Sequence, residues 1–452
     1  MSENDDQIRS ALVAVGTKAL AVRSEALIKR GLVLAKSLQP RSAGGHYNSE
    51  TLQQLKAILC LQPGYAGEHY TLGEALYDKR NINGAIAEYR EALRLNPEFA
   101  GAHCKLGNAL YDNGDVDGAI AEYREAVRLN PNDEYAHVHL GFALVRKDDW
   151  DGAIAEVRQA VRLNPNFEDA HAGLGILLGV KRDWDGQIIE YREVLRLNPN
   201  LAEMHHDLGV ALGNNGDVDG AIAEFREALR LNPKDDNTHY LLGVTLGDKG
   251  DLDDSIGEYR DALRLNPNNE SARRNLGLAL GNKGDWDGAT VVFREALHLN
   301  PINDRAHVDI ALALRQKGDL DAAIAECREA LRLNPNNDKA HVDIALALAE
   351  RGDIDGEIAE LREALRLRPN HDKGHALLGA ALNLKGDMDG AIAEYGEALR
   401  LNPNNDMAHF ILGHVLGQKG DSDRAMAEYR EALRLNPDNE MAHNSLGAEL
   451  GL

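Results

Sequence analysis

Residues 100–133 read AGAHCKLGNALYDNGDVDGAIAEYREAVRLNPND, and the chain repeats this stretch with variations along most of its length. The first half sets Leu106, Ala109 and Leu110 at the spacing of one helix face. Gly114 ends that helix, because glycine takes the left-handed conformation that closes a helix at little cost. Asp117 is the expected N-cap of a second helix. That helix carries Ala119, Ile120, Tyr123, Ala126, Val127 and Leu129 on one apolar face. Asn130 stops it, since the residue before a proline is pushed out of the helical region. The stretch therefore predicts two antiparallel helices joined by a short turn.

Twelve of the thirteen prolines, from Pro63 to Pro437, stand 34 residues apart, and Pro40 alone lies outside the series. A fixed period of this length means an array of identical helix pairs stacked on one another, with no single globular core. At 452 residues, 43% apolar and 27% charged, the composition is that of a folded soluble chain. No run approaches the ~18 apolar residues that a membrane span requires. The opening MSENDDQIRS carries three acids and is followed by no clean apolar stretch, so it does not read as a secretory signal. Cys60, Cys104 and Cys327 are scattered and odd in number, which points to a reduced, cytoplasmic setting.

The net charge of −23 argues against nucleic acid as a main partner, because phosphate is repelled. Residues 1–41 depart from this balance, with seven basic and four acidic side chains. Lys18, Arg23, Lys29, Arg30 and Lys36 make this segment a basic arm on an acidic body.

The unit resembles the tetratricopeptide repeat, with Gly107, Ala119, Ala126, Tyr123 and Pro131 at the repeat's positions 8, 20, 27, 24 and 32. The pattern recurs in eleven units starting at 66, 100, 134, 168, 202, 236, 270, 304, 338, 372 and 406. The resemblance implies an all-α fold: a right-handed superhelical α-solenoid of stacked antiparallel helix pairs. It divides the chain into a basic helical arm and hinge at 1–48 and a degenerate capping half-repeat at 49–65. Eleven units follow at 66–439, then a C-terminal capping helix at 440–452. Gln187 and Glu357 depart from the usual alanine at position 20, and Ala345 replaces the glycine at position 8; Glu357 is expected to tilt outward or find a partner.

Histidine recurs at position 4 of most first helices, as His69, His103 and His137, with Arg273 in its place in the unit at 270. Successive histidines fall about one helix-packing distance, ~10 Å, apart. A zinc ion needs its ligands within about 2 Å, so these histidines read as packing groups and no metal site is expected. The Gly-Asp-x-Asp-Gly turns lack the further oxygen ligands of a calcium loop and read as helix caps. No phosphate-binding glycine loop, HExxH or nucleophile elbow is present. No cofactor is expected, and the chain does not read as an enzyme.

In the family the first helices line a concave groove, with position 9 among the positions facing it. Here that row runs Phe142, Ile176, Val210, Val244, Leu278, Leu312 and Leu346, seven apolar residues in consecutive units. Beside it, position 12 is glycine in four consecutive units, Gly179, Gly213, Gly247 and Gly281. Glycine within a helix costs ~1 kcal/mol against alanine. Either the stripe packs between repeats and duplication copied the glycines, or the groove has an apolar floor with room for a helix or extended segment. The lysine and asparagine pattern of the clamp for acidic chaperone C-termini is absent, because Cys104 and Asn108 are followed by Val138 and Phe142. The asparagine ladder of the O-linked glucosamine transferases is absent too; only Asn275 fits it.

These readings predict a scaffold or adaptor that binds a protein or peptide segment in its groove. The competing reading is a regulatory or sensor subunit that docks through the arm; the arm's other reading is a cap on the first repeat. A membrane partner is not expected. The basic arm and the C-terminal half-repeat are the candidate surfaces for self-association.

Overall fold

The computed structural model describes residues 66–450. Among them every regular element is a helix, and helices of 11 to 14 residues alternate with short turns. The chain forms two compact units divided between Lys249 and Gly250. The first ends with the helix Asp236–Lys249 and the second begins with the helix Leu252–Leu265.

The repeat at 100 shows why the pairs form. Its helices are Ala100–Asp112 and Val116–Leu129. Gly114 takes φ +88° and turns the chain back on itself. Arg80, Asp148 and Arg182 adopt the same left-handed backbone where their repeats lack that glycine. The N-cap is Asp115, whose carboxylate accepts the Gly118 N–H at 2.9 Å. This corrects the assignment to Asp117. The helix starts at Val116, so Asp117 lies in its first turn and instead pairs with Lys147 of the next repeat at 2.9 Å. Asn130 leaves the helical region before Pro131 and closes the second helix, its N–H bonded to the Ala126 carbonyl.

The Asp-to-Lys tie recurs between neighbours, as Asp151–Lys181 and Asp219–Lys249 in the first unit and Asp355–Lys385 in the second. Such exposed pairs contribute ~0–1 kcal/mol each. Most cohesion comes from the apolar seam between helices. In the first unit it comprises a cluster running from Leu72 to Leu178 and another from Ile188 to Leu246. In the second unit a cluster runs from Ala345 to Tyr429, and Leu446 of the last helix, Glu440–Leu450, packs on it. Residues 1–65, with the arm and the half-repeat at 49–65, lie outside the described residues, as do 451 and 452.

Candidate binding face

Each first helix has one face committed to the second helix of its own repeat. Position 8 faces the position-24 ring: a methyl at Gly107 would stand 2.6 Å from Cε1 of Tyr123, and one at Gly209 would stand 2.7 Å from Phe225. Where position 24 is not a ring, position 8 changes in two of three repeats. Ala311 goes with Cys327 and Ala345 with Leu361, whereas Gly141 stays with Val157. Position 12 lies on the same face. A methyl at Gly179 would meet Gln187, one at Gly213 would find only the Ala221 methyl at 3.8 Å, and one at Gly281 would meet the Trp286 ring. The glycines at 179 and 281 therefore do not open room in a groove. They clear space for a larger partner from their own second helix, and Gln187 uses it to donate to the Tyr191 hydroxyl at 3.1 Å. Glu357 does not tilt outward: it is 6% exposed, and burial raises its carboxyl pKa.

The position-4 histidines make a strap that sequence reasoning reduced to packing. In the repeat at 168, His171 Nδ1 lies 2.6 Å from Glu190 of its own second helix. Its Nε2 lies 3.1 Å from the Pro165 carbonyl that ends the preceding repeat. His103, His137, His205, His375 and His409 repeat both contacts. The proline ladder and the histidine row are thus one device joining consecutive repeats. The Glu190 hydrogen bond outweighs burial and raises the pKa of His171. At His137 burial is the largest influence and pulls downward, but Glu156 and the Pro131 carbonyl together leave the pKa raised. The signal was in the sequence: glutamate stands 19 residues after these histidines, and Val292 holds that place where Arg273 replaces histidine.

Position 9 falls on a different face. In the first unit Ile176, Val210 and Val244 are half-buried, while the residues just before them, Gly175, Gly209 and Gly243, are buried. Phe142 is the exception. Its ring is 7% exposed and covers Gly173 of the next first helix, where a methyl would stand 2.7 Å from the ring. In the second unit Leu278, Leu312 and Leu346 are half-buried in the same way.

Charge on this face is organised by helical spacing. Arg305, Asp309 and Leu312 follow at i, i+4 and i+7 on one helix, and Lys339, Asp343 and Leu346 do so on the next. Asp309 is 3% exposed and takes a bidentate contact from Arg274 at 2.7 and 3.0 Å. Burial pushes the Asp343 carboxyl up to about 6, against Lys339 and Arg315. Arg305 is exposed but loses part of its hydration, and this, with the Arg274 guanidinium, lowers its pKa. In the first unit the Asp169 carboxyl is raised by burial and by Glu168. Lys18, Arg23, Lys29, Arg30 and Lys36 of the expected docking arm lie outside the described residues. No helix among the described residues is long and apolar enough to cross a membrane.

Models of the tetratricopeptide repeat match residues 70–134, 206–270 and 274–338, and a second such model matches 110–177 and 314–381. A TPR-repeat model matches 379–420 and 413–450. No curated protein matches the chain. Among solved structures, yeast Tom70 is similar at 15% identity and TM-score 0.49, over 85% of this chain and 95% of that one. MamA is similar at 26% identity and TM-score 0.36, over 37% of this chain and 92% of that one.

Proposed function

Since the chain belongs to the tetratricopeptide repeat family, whose arrays are protein-interaction scaffolds, we propose that it is a non-enzymatic adaptor holding a protein segment on the open face of its first helices. The observation that carries this is the half-buried row at position 9, Ile176, Val210 and Val244 in one unit and Leu278, Leu312 and Leu346 in the other. A residue needed only to seal repeat against repeat is covered, as Phe142 is. The rest of the row keeps apolar surface in water, and burying that surface under a partner is worth about 25 cal/mol per Å². Reduced, cytoplasmic surroundings suit the buried free thiols of Cys104 and Cys327.

A photo-crosslinking residue at Val210 or Leu312, in the full chain in its native host, is expected to capture a discrete protein. The same residue at Arg90, on the outer side of a second helix, is expected to capture none. Equal capture at the three positions, or capture at none, would overturn groove binding. A second reading, a regulatory or sensor subunit docked through residues 1–48, draws on the excess of basic over acidic side chains in residues 1–41 of an otherwise acidic chain. Removing 1–48 would then abolish the complex while the helical array stays folded.

A further inference from the structure

Three cations stand at repeat position 2 in consecutive repeats of the second unit: Arg305, Lys339 and Lys373. Arg305 and Lys339 are exposed and Lys373 is half-buried. None of the three makes an ion pair among the described residues, although this chain carries a net charge of −23 and pairs Lys317, Arg351, Lys385 and Lys419 with aspartates of the preceding repeat. The acids on the same face do not cancel this row. Asp309 is buried under Arg274, and Asp343 is half-buried. Arg305 and Lys339 are more exposed than either of these acids.

Beside the cations runs the half-open row of Leu278, Leu312 and Leu346. We propose that this face of the second unit takes a protein segment that interleaves acidic and apolar side chains, with carboxylates on Arg305, Lys339 and Lys373 and apolar groups on the leucines. The proposal rests on the reading of the open face as a segment-binding surface and adds the chemistry of what is bound. Consecutive first helices are about 10 Å apart. An extended chain advances about 3.3 Å per residue, so the segment presents one carboxylate about every third residue. A row of single cations spread over three repeats fits side-chain carboxylates along a segment better than one chain terminus, which needs its donors convergent on a point.

Selection of a displayed random 16-residue peptide library on the purified full chain tests this. The expected result is enrichment of peptides with Asp or Glu about every third position and apolar residues between. For one such peptide, measured by fluorescence anisotropy, the triple substitution Arg305→Glu, Lys339→Glu and Lys373→Glu weakens binding by about tenfold or more. The charge-neutral triple substitution to Gln weakens it less, and raising salt from about 0.05 to about 0.5 M also weakens it. None of the three cations is buried, so circular dichroism is expected to show the variants as helical as the parent. Peptides enriched without acidic bias, or binding untouched by charge reversal, overturn this inference and leave segment binding standing. A library from which nothing is enriched removes both.

Discussion

The Tyr123 ring occupies the space that any side chain at Gly107 would enter, with Cε1 2.6 Å from where a methyl would sit. The ring is 2% exposed, so it cannot swing into solvent without opening the repeat. Gly107→Ala gains up to ~1 kcal/mol of helix propensity but overpacks the seam at ~1–3 kcal/mol. We expect a net loss, read as a lower denaturation midpoint. Tyr123 also donates to buried Asn108, so Gly107→Ala with Asn108→Leu and Tyr123→Leu, which reproduces Ala345, Leu346 and Leu361, is the combination expected to recover part of it. Gly213→Ala is expected to have the opposite sign, since only the Ala221 methyl lies near, at 3.8 Å. A destabilised Gly213→Ala would show that position 12 is not slack there.

The capping aspartates separate in the same way. Asp115 closes the Gly118 N–H, so Asp115→Ala is expected to cost about 1 kcal/mol. Asp117 makes only an exposed pair with Lys147, so Asp117→Ala is expected to cost ~0–1 kcal/mol. Urea denaturation of the two single variants decides the ranking, and an equal or larger cost at Asp117 would reverse the assignment of the cap.

What the sequence made legible is the part of the fold written in one repeat. The 34-residue period, the helix-closing glycine at Gly114 and the stop at Asn130 are local chemistry, and each is found where it was expected. The cap was misplaced by two residues because Asp115 and Asp117 are chemically identical, and only the register of the first turn distinguishes them. The side chains beside the glycines at 179 and 281, Gln187 and Trp286, each lie on the following helix, so one helix's sequence could not show them. The strap escaped for a related reason. His171 bonds a carboxylate 19 residues ahead and a carbonyl six residues behind, a relation that appears only once two repeats are stacked.

That strap makes stability depend on pH. A neutral imidazole carries one N–H, while His171 faces two acceptors, the Glu190 carboxylate and the Pro165 carbonyl. Both contacts are hydrogen bonds only when the ring is protonated. The pKa of His171 is raised in the folded chain, as is that of His137, above the ordinary value near 6.5. A raised folded pKa stabilises fully below the unfolded value, and the gain fades as pH rises through the folded one. The melting temperature is expected to fall as pH goes from about 6 to about 8.5, with a smaller fall in His137→Gln/His171→Gln. NMR titration of the His171 ring should give a midpoint above 6.5; a midpoint below it would mean that burial prevails over the carboxylate.

The repeat at 270 tests whether the strap contributes to cohesion at all. There Arg273 replaces the histidine and donates to the Pro267 carbonyl, but Val292 stands where the glutamate belongs. The nearest carboxylate is Glu295 at 4.0 Å, and Arg273 Nε and Nη1 are left buried without hydrogen-bond partners. An unpaired buried donor costs ~1–3 kcal/mol. Arg273→His alone gives a ring with no carboxylate to hold it, and Val292→Glu alone sets an acid beside the longer Arg273 side chain. Together they rebuild the arrangement seen at His307 and Glu326. We expect the double variant to be more stable than the sum of the single changes by about 1 kcal/mol, the coupling that a double-mutant cycle reads for groups in contact. Additive effects would mean that the helix seam alone carries the joint between these repeats.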